Sequence, residues 1–258
     1  MSWKLATFNV NGIRARLPIV LAWLEKHRPD VLCLQEIKCR DSEFPGEAFR
    51  EVGYESTVKG RKSQSGVAVL SRSSPEEVRT HFEEEARLIA ASFSGIWVVN
   101  TYVPQGRDPQ DPAFKAKIDF FKQLKEWFSL HFKPDQPLVW TGDINVAPGP
   151  LDVFDPKRME GKVGFHPEER KALADTVSWG FEDVFRIHHP GEKQFTFWDY
   201  RIPSSLEKNL GWRLDHIWAT PGLARLSRDC RVDEGPRAMD RPSDHTPVWV
   251  EFDLEPRG

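Results

Sequence analysis

Five times along this chain of 258 residues, a short polar signature stands where an apolar run ends. The signatures are Phe8-Asn9-Val10-Asn11, Leu34-Gln35-Glu36, Trp140-Thr141-Gly142-Asp143-Ile144-Asn145, Arg213-Leu214-Asp215 and Ser243-Asp244-His245. Each apolar run reads as a strand, so each polar residue falls at a strand's exit. Sheets joined by helical crossovers build their sites at strand ends. Carboxylates, a carboxylate-histidine pair and two amides gathered there suit a hard cation and a phosphate.

The spacing between signatures supports such sheets. Leu5 to Val10 reads as a strand, Leu17, Val20, Leu21 and Leu24 recur at helical spacing, and Val31 to Gln35 is a second strand. This is a β-α-β opening with both strand exits on one edge. Strand-like runs follow at 54–58, 66–71, 88–93 and 96–103, a stretch that reads as antiparallel. A helix is expected over 112–132, with Phe114, Ile118, Phe121, Leu124 and Phe128 on one face. Leu138–Thr141 is a buried strand, 148–164 a long ordered loop, and 167–178 a short helix opened by proline. Strands at 195–198, 214–219 and 248–252 complete the pattern, with Trp140 and Trp249 expected in the core. Two β-rich halves with covering helices predict a layered α/β (α+β) sandwich, and no linker divides residues 1–258, so one domain is expected.

Composition removes other classes. Hydrophobic residues make up 39% and charged residues 29%, as in a globular protein. No window reaches the roughly 18 apolar residues of a membrane span. The N-terminal segment has no signal-peptide pattern, so a cytoplasmic location is expected. Three cysteines without CxxC spacing argue against zinc or a disulfide framework. The net charge of −3 does not announce a nucleic acid, but a carboxylate-rich face hides a basic one in the total.

The residues suggest specific chemistry. Asn9, Asn11 and Glu36, from adjacent strand exits, can offer oxygen to Mg²⁺. In an extended segment Asp143 and Asn145 point the same way, so Asp143 could deprotonate a water while Asn145 donates to a phosphate oxygen. Asp215 hydrogen-bonded to His245 would favour an imidazolium facing a phosphoryl oxygen. No Gly-x-Ser-x-Gly elbow supports acyl transfer. Tyr102 exits on the same edge. Aromatic segments 195–201 and 211–215 could wall a pocket for a flipped-out sugar.

Together these motifs resemble the exonuclease III family of apurinic/apyrimidinic (AP) endonucleases. The resemblance runs from Leu5 to about Phe252 and adds Ser65-Gly66-Val67-Ala68, Tyr102-Val103-Pro104-Gln105-Gly106 and Phe197-Trp198-Asp199-Tyr200-Arg201 to the signatures. It implies a four-layer αββα sandwich with the site at one end of two packed mixed sheets. It implies a Mg²⁺ enzyme, with Mn²⁺ as a substitute, in which Asn11, Glu36 and Asp244 hold the ion. Tyr102, Asp143, Asn145, Asp215 and His245 would be catalytic, with Asn9, Arg14, Gln105, Arg107 and Arg201 on phosphate or DNA. Phe197, Trp212 and Leu214 would wall the abasic pocket. The implied activity is DNA-repair hydrolysis of the backbone 5′ to abasic sites, with 3′-5′ exonuclease action and 3′-end trimming. The implied partner is double-stranded DNA carrying abasic sites or blocked 3′ ends, met by a monomer away from membranes. A related sandwich acting on phosphoinositides, sphingomyelin or poly(A) is the second reading, and a catalytically silent DNA-binding module the third. Four positions depart from the pattern: Ile37 where Thr is common, Ser63 and Gln64 where a Gly-Tyr-like pair is common, and His216 beside Asp215.

Overall fold

A computed structural model describes residues 2–62, 65–82 and 85–254, so the Ser63-Gln64 departure lies outside the described residues. In chain order the elements begin β1 (Ser2–Asn9), α1 (Ile13–His27), β2 (Val31–Gln35), α2 (Gly46–Glu51), β3 (Glu55–Lys59) and β4 (Val67–Ser71). Next come β5 (Glu77–His81), β6 (Leu88–Phe93), β7 (Ile96–Tyr102), α3 (Pro112–His131) and β8 (Leu138–Asp143). Then α4 (Pro156–Met159), α5 (Pro167–Val177), β9 (Glu182–Asp183) and α6 (Val184–His188) lead to β10 (Asp215–Ala219), α7 (Pro221–Ala224), β11 (Ser227–Val232) and β12 (Val248–Asp253). The strands form two six-stranded sheets, ordered β11-β12-β1-β2-β4-β3 and β5-β6-β7-β8-β10-β9. Each sheet has one parallel pair, β1/β2 or β7/β8, and each pair is bridged by a helix, α1 or α3. Parallel neighbours need such a crossover, and it leaves both strand exits on one edge.

Side-chain alternation assigns the faces. Ala6, Phe8, Leu32 and Leu34 turn outward onto α1 and Phe49 of α2. Trp140, Trp218 and Leu138 turn onto α3 and Leu173 of α5. Leu5, Val31, Cys33, Val98, Val139 and Ile217 turn inward and pack the two sheets together. The result is four layers, helix–sheet–sheet–helix.

Along the inward face, polarity rises toward one edge. β1 reads Leu5, Thr7, Asn9; β7 reads Val98, Asn100, Tyr102; β8 reads Val139, Thr141, Asp143. The middle row bonds internally. Gln35 Nε2 donates to Thr7 Oγ1 (2.9 Å) and to Asn100 Oδ1 (2.7 Å), while Asn100 Nδ2 donates to the carbonyls of Leu34 and Ala68. These buried amide bonds link the two sheets and help fix their register, although Gln35 Oε1 itself has no partner among the described residues. Above them the inward face becomes the site.

Several expectations are corrected. Residues 195–198 form no strand; Phe197 makes only isolated bridges to Trp212 and His245. The loop expected over 148–164 contains a 3₁₀ turn at Pro150–Asp152 and α4. The stretch from 54 to 103 is antiparallel only within each sheet, because β3 and β4 belong to one and β5, β6 and β7 to the other. Trp249 is half-buried, with the Lys4 ammonium 4.7 Å over its ring. On α3, Lys117 is wholly buried and Ile118 only partly so. No helix among the described residues is long and apolar enough to cross a membrane.

Candidate active site

Strand register brings the acids together. Asp143 closes β8 in register with Tyr102 of parallel β7 on one side and Asp215 of antiparallel β10 on the other. From the other sheet, Asn9 ends β1 and Glu36 follows β2. Asn9 joins the two sheets. Its Nδ2 donates to Glu36 Oε1 (2.9 Å) and to Asp143 Oδ2 (2.8 Å), and its Oδ1 accepts the Asn11 N–H (2.9 Å). Both amide hydrogens are thereby used on carboxylates. Asn11, Glu36 and Asn145 have positive φ, between 44° and 55°. Such conformations are uncommon outside glycine and gather at functional sites.

His245 enters from the segment before β12. Its Nδ1 meets Asp215 Oδ2 at 2.7 Å, and its Nε2 stops 3.8 Å from Asp143 Oδ2. Ser243 Oγ accepts the His245 N–H (3.2 Å) and donates to the Asn9 carbonyl (2.7 Å), tying this segment to β1. Thr196 Oγ1 accepts the N–H groups of Leu214 (3.0 Å) and Asp215 (3.1 Å). Neither Ser243 nor Thr196 had been singled out for a role. Ser243 stood within its motif, whereas Thr196 is an ordinary residue among aromatics.

The electrostatics follow from burial and neighbours. Burial opposes the imidazolium, but the Asp215 and Asp143 carboxylates outweigh it and hold His245 up to about 10. Burial pushes Asp143 above the usual carboxylate range, against the pull of His245, and Asp215 and Glu36 add to the push. Burial also opposes a charged Glu36, yet Lys38 and the Asn9 hydrogen bond hold it below the usual range. The Tyr102 phenol is raised by burial and by Glu36 and Asp143, so it stays protonated beside Glu36.

The donor set fits a hard cation. Glu36, Asp143 and His245 each bring a ligand-type atom within 4.8 Å of the others. His245 is committed to Asp215 and carries a proton, so it is not a ligand. The oxygens remain. Lys38 marks the place: its ammonium lies 2.7 Å from Glu36 Oε2 and also hydrogen-bonds Asn11 Oδ1. Asn11 Nδ2 in turn donates to Asp244 Oδ1 (2.9 Å). Here four carboxylates face only two cations, Lys38 and His245, a local deficit of positive charge. A divalent oxygen-seeking ion such as Mg²⁺ matches that deficit.

Asn145 meets Asp143 by a different geometry from the one expected. The segment is not extended; Asn145 N–H donates to Asp143 Oδ1 (2.9 Å) in a tight turn. Its Nδ2 donates to the Val103 carbonyl (2.9 Å) and Asp143 Oδ2 (3.2 Å), so the amide holds the acid rather than facing outward. His216 does not compete for Asp215. It is buried, stacks on Trp218 at 4.5 Å and bonds the Val146 carbonyl at 3.1 Å, and burial with the Arg213 charge lowers it to about 3.

Beside the acids opens a cavity of about 320 Å³, lined by Gln105, Arg107, Asn145, Arg201, Trp212 and Leu214, with Val163 and Gly164. That is near the lower end of the roughly 300–1,000 Å³ typical of small-molecule sites. The last two liners were not anticipated. Gly164 has φ +88°, and a Cβ there would come 3.3 Å from the Trp212 ring. Phe197 is not among the liners; its ring packs 4.8 Å from that of His245. Arg14 is exposed on α1, and its charge falls on Cys39 and Glu43 rather than on the acids.

A sheet pair with acids, an amide bridge and an imidazolium at one edge defines a class. The chain belongs to the Endonuclease/Exonuclease/phosphatase family, whose model matches residues 6–245. It is 36% identical to the exodeoxyribonuclease III of Haemophilus influenzae, over 96% of this chain and 99% of that protein. Among solved structures, an AP endonuclease from Archaeoglobus fulgidus superposes with a TM-score of 0.94 at 41% identity, covering 98% of this chain and 100% of that one. A Neisseria 3′ phosphatase bound to a product DNA hairpin superposes at 0.92 with 36% identity, covering 98% and 100%.

Proposed function

We propose that this chain is a DNA-repair phosphodiesterase that requires a divalent cation. It hydrolyses the backbone 5′ to abasic sites in double-stranded DNA and trims 3′ ends. The observation that carries this reading is the juxtaposition of the Asn9-bridged Glu36 and Asp143 with the Asp215–His245 pair, next to a cavity that Asn145 joins to the acids and Trp212 walls. The cavity favours the DNA branch over headgroup or poly(A) substrates, because Trp212, Leu214 and Arg201 offer apolar walls and a cation at a sugar-phosphate site. An abasic sugar enters at least cost, since its base pair is already lost.

In this reading Asn11, Glu36 and Asp244 hold Mg²⁺, with Mn²⁺ as substitute. When bound, the ion supplies charge for the developing phosphorane and the leaving oxygen. Asp143, gripped by Asn9 and Asn145, accepts the proton of the attacking water; its raised pKa suits a base near neutral pH. His245 presents its Nε2–H to a phosphoryl oxygen, kept charged and aimed by Asp215. Tyr102, still protonated, donates to the same phosphate. Gln105, Arg107 and Arg201 contact DNA from the cavity wall, and Arg14 contacts the backbone further out. The protein acts as a single-domain monomer in the cytoplasm.

The test maps products. A duplex with one abasic analogue should be cut on its 5′ side, leaving a 3′-hydroxyl, and Trp212→Ala should reduce the preference over intact duplex. Cleavage 3′ to the site, or equal rates on both duplexes, would refute the reading.

A further inference from the structure

One charged pair lies outside the chemistry yet touches three of the connections that line the cavity. Lys117 of α3 and Glu169 of α5 are both fully buried. The ammonium donates to Glu169 Oε1 (2.5 Å), to the Asn145 carbonyl (2.7 Å) and to the Gln105 carbonyl (3.1 Å). Its three protons are thereby used. The other Glu169 oxygen accepts the N–H of Gly164 (2.7 Å) and of His166 (3.2 Å). Gln105, Asn145 and Gly164 all line the cavity, and they belong to three separate connections. Gly106 makes room for the lysine stem: it has φ +94°, and a Cβ there would stand 3.2 Å from Lys117 Cδ.

A buried ion pair is weak evidence of stability, since apolar residues often serve as well. This pair does something apolar residues cannot: it directs hydrogen bonds to backbone atoms of three loops. We infer that Lys117 and Glu169 are positioning residues that set the width and placement of the sugar cavity, and with it the preference for abasic DNA. The inference rests on the abasic-site reading above. It assigns the pair to the cavity rather than to the acids. Asp143 has its own supports in β7 and β10 on either side and in Asn9, and it shares with the pair only Asn145, whose carbonyl accepts from Lys117. On the Gln105 and Gly164 side the cavity wall belongs to no strand. Gln105 lies beyond the end of β7, and Gly164 lies in the connection between α4 and α5.

The experiment compares wild type with Lys117→Met/Glu169→Gln, which removes both charges together and leaves neither stranded. Glu169→Gln alone accompanies it in case the double variant fails to fold; there the Lys117 ammonium, already disfavoured by burial, can shed a proton. Two substrates are used: an abasic-analogue duplex, which fills the cavity, and bis(p-nitrophenyl) phosphate, which does not. The expected result is a fall of about 100-fold in kcat/KM on the duplex, the scale of a displacement of roughly 1 Å, with hydrolysis of the small diester nearly unchanged. Amide exchange at Gly164 and His166 should accelerate in the same variants. Equal losses on both substrates, or no loss on either, would overturn the assignment, as would unchanged exchange at Gly164. If wild type cleaves the small diester but ignores the abasic duplex, the functional reading fails, and the exchange result still decides whether the pair holds the loop.

Discussion

Replacing Asp215 by Asn isolates the carboxylate that does most to raise His245. Asp215 Oδ2 lies 2.7 Å from His245 Nδ1 with neither side chain open to water, and burial of the imidazolium is outweighed by Asp215 first and Asp143 second. An opposite charge this close moves a pKa by about 1–3 units. Losing it should lower His245 from about 10 into the range of roughly 7–9. At about 1.4 kcal/mol per unit, that is on the order of 1–4 kcal/mol of differential stabilisation of the charged form. The sign is fixed: a histidine raised in the folded state stabilises the fold fully below about 6.5, and loses that contribution as pH rises through about 10. Asp215→Asn should therefore move the loss to lower pH and pull in the alkaline limb of activity. The assay is an NMR titration of the His245 ring, assigned against His245→Gln. A wild-type ring that titrates near 6.5, or an Asn variant that titrates with wild type, would refute the reasoning.

Three other outcomes follow from the geometry. Asp143→Asn should lower turnover by about 10²–10⁴-fold, the usual range for a lost general base, with DNA affinity retained in a filter-binding assay; turnover within a few-fold of wild type would remove Asp143 from its role. Lys38→Met should tighten Mn²⁺ binding by about tenfold, since one ammonium no longer competes for Glu36 and Asn11; weaker binding by calorimetry would make Lys38 a partner of the ion rather than its rival. His216 stays neutral in the fold down to about 3, whereas the unfolded chain takes a proton near 6.5, so stability falls on acidification between these values by up to about 1.4 kcal/mol per pH unit. Urea unfolding of His216→Gln should show a slope shallower by that amount between pH 4 and pH 6, and identical slopes would contradict the buried neutral ring.

The acids were legible in the sequence because the fold places them by a simple rule. A residue ending an apolar strand emerges at the sheet edge, so Asn9, Glu36 and Asp143 could be read from where hydrophobicity stops. The meeting of Asp143 with Asp215 needed strand register, which the sequence does not carry alone. What escaped reading lacks an apolar signature. β5 is largely exposed and charged, and β11 turns only Cys230 and Val232 inward between Arg228, Asp229 and Arg231, so the alternation is too short to announce a strand. Residues 195–198 misled in the opposite sense: their aromatics imitate a strand while packing under the site as a loop. Lys117 occupies an apolar helix face, where its charge argues for solvent until Glu169, 52 residues away, is brought against it. Asn145 could be paired with Asp143 from the motif, but its left-handed turn could not.

The account depends on one cation and one sugar being held side by side, the first by Glu36 and its neighbours and the second by Trp212 and Leu214. Crystals of Asp143→Asn bound to an abasic-analogue duplex and soaked in Mn²⁺ test this in a single experiment. The account predicts an anomalous peak at the Glu36 carboxylate and the abasic sugar turned out of the helix into the cavity. A metal elsewhere, or a sugar still stacked within the duplex, would contradict it.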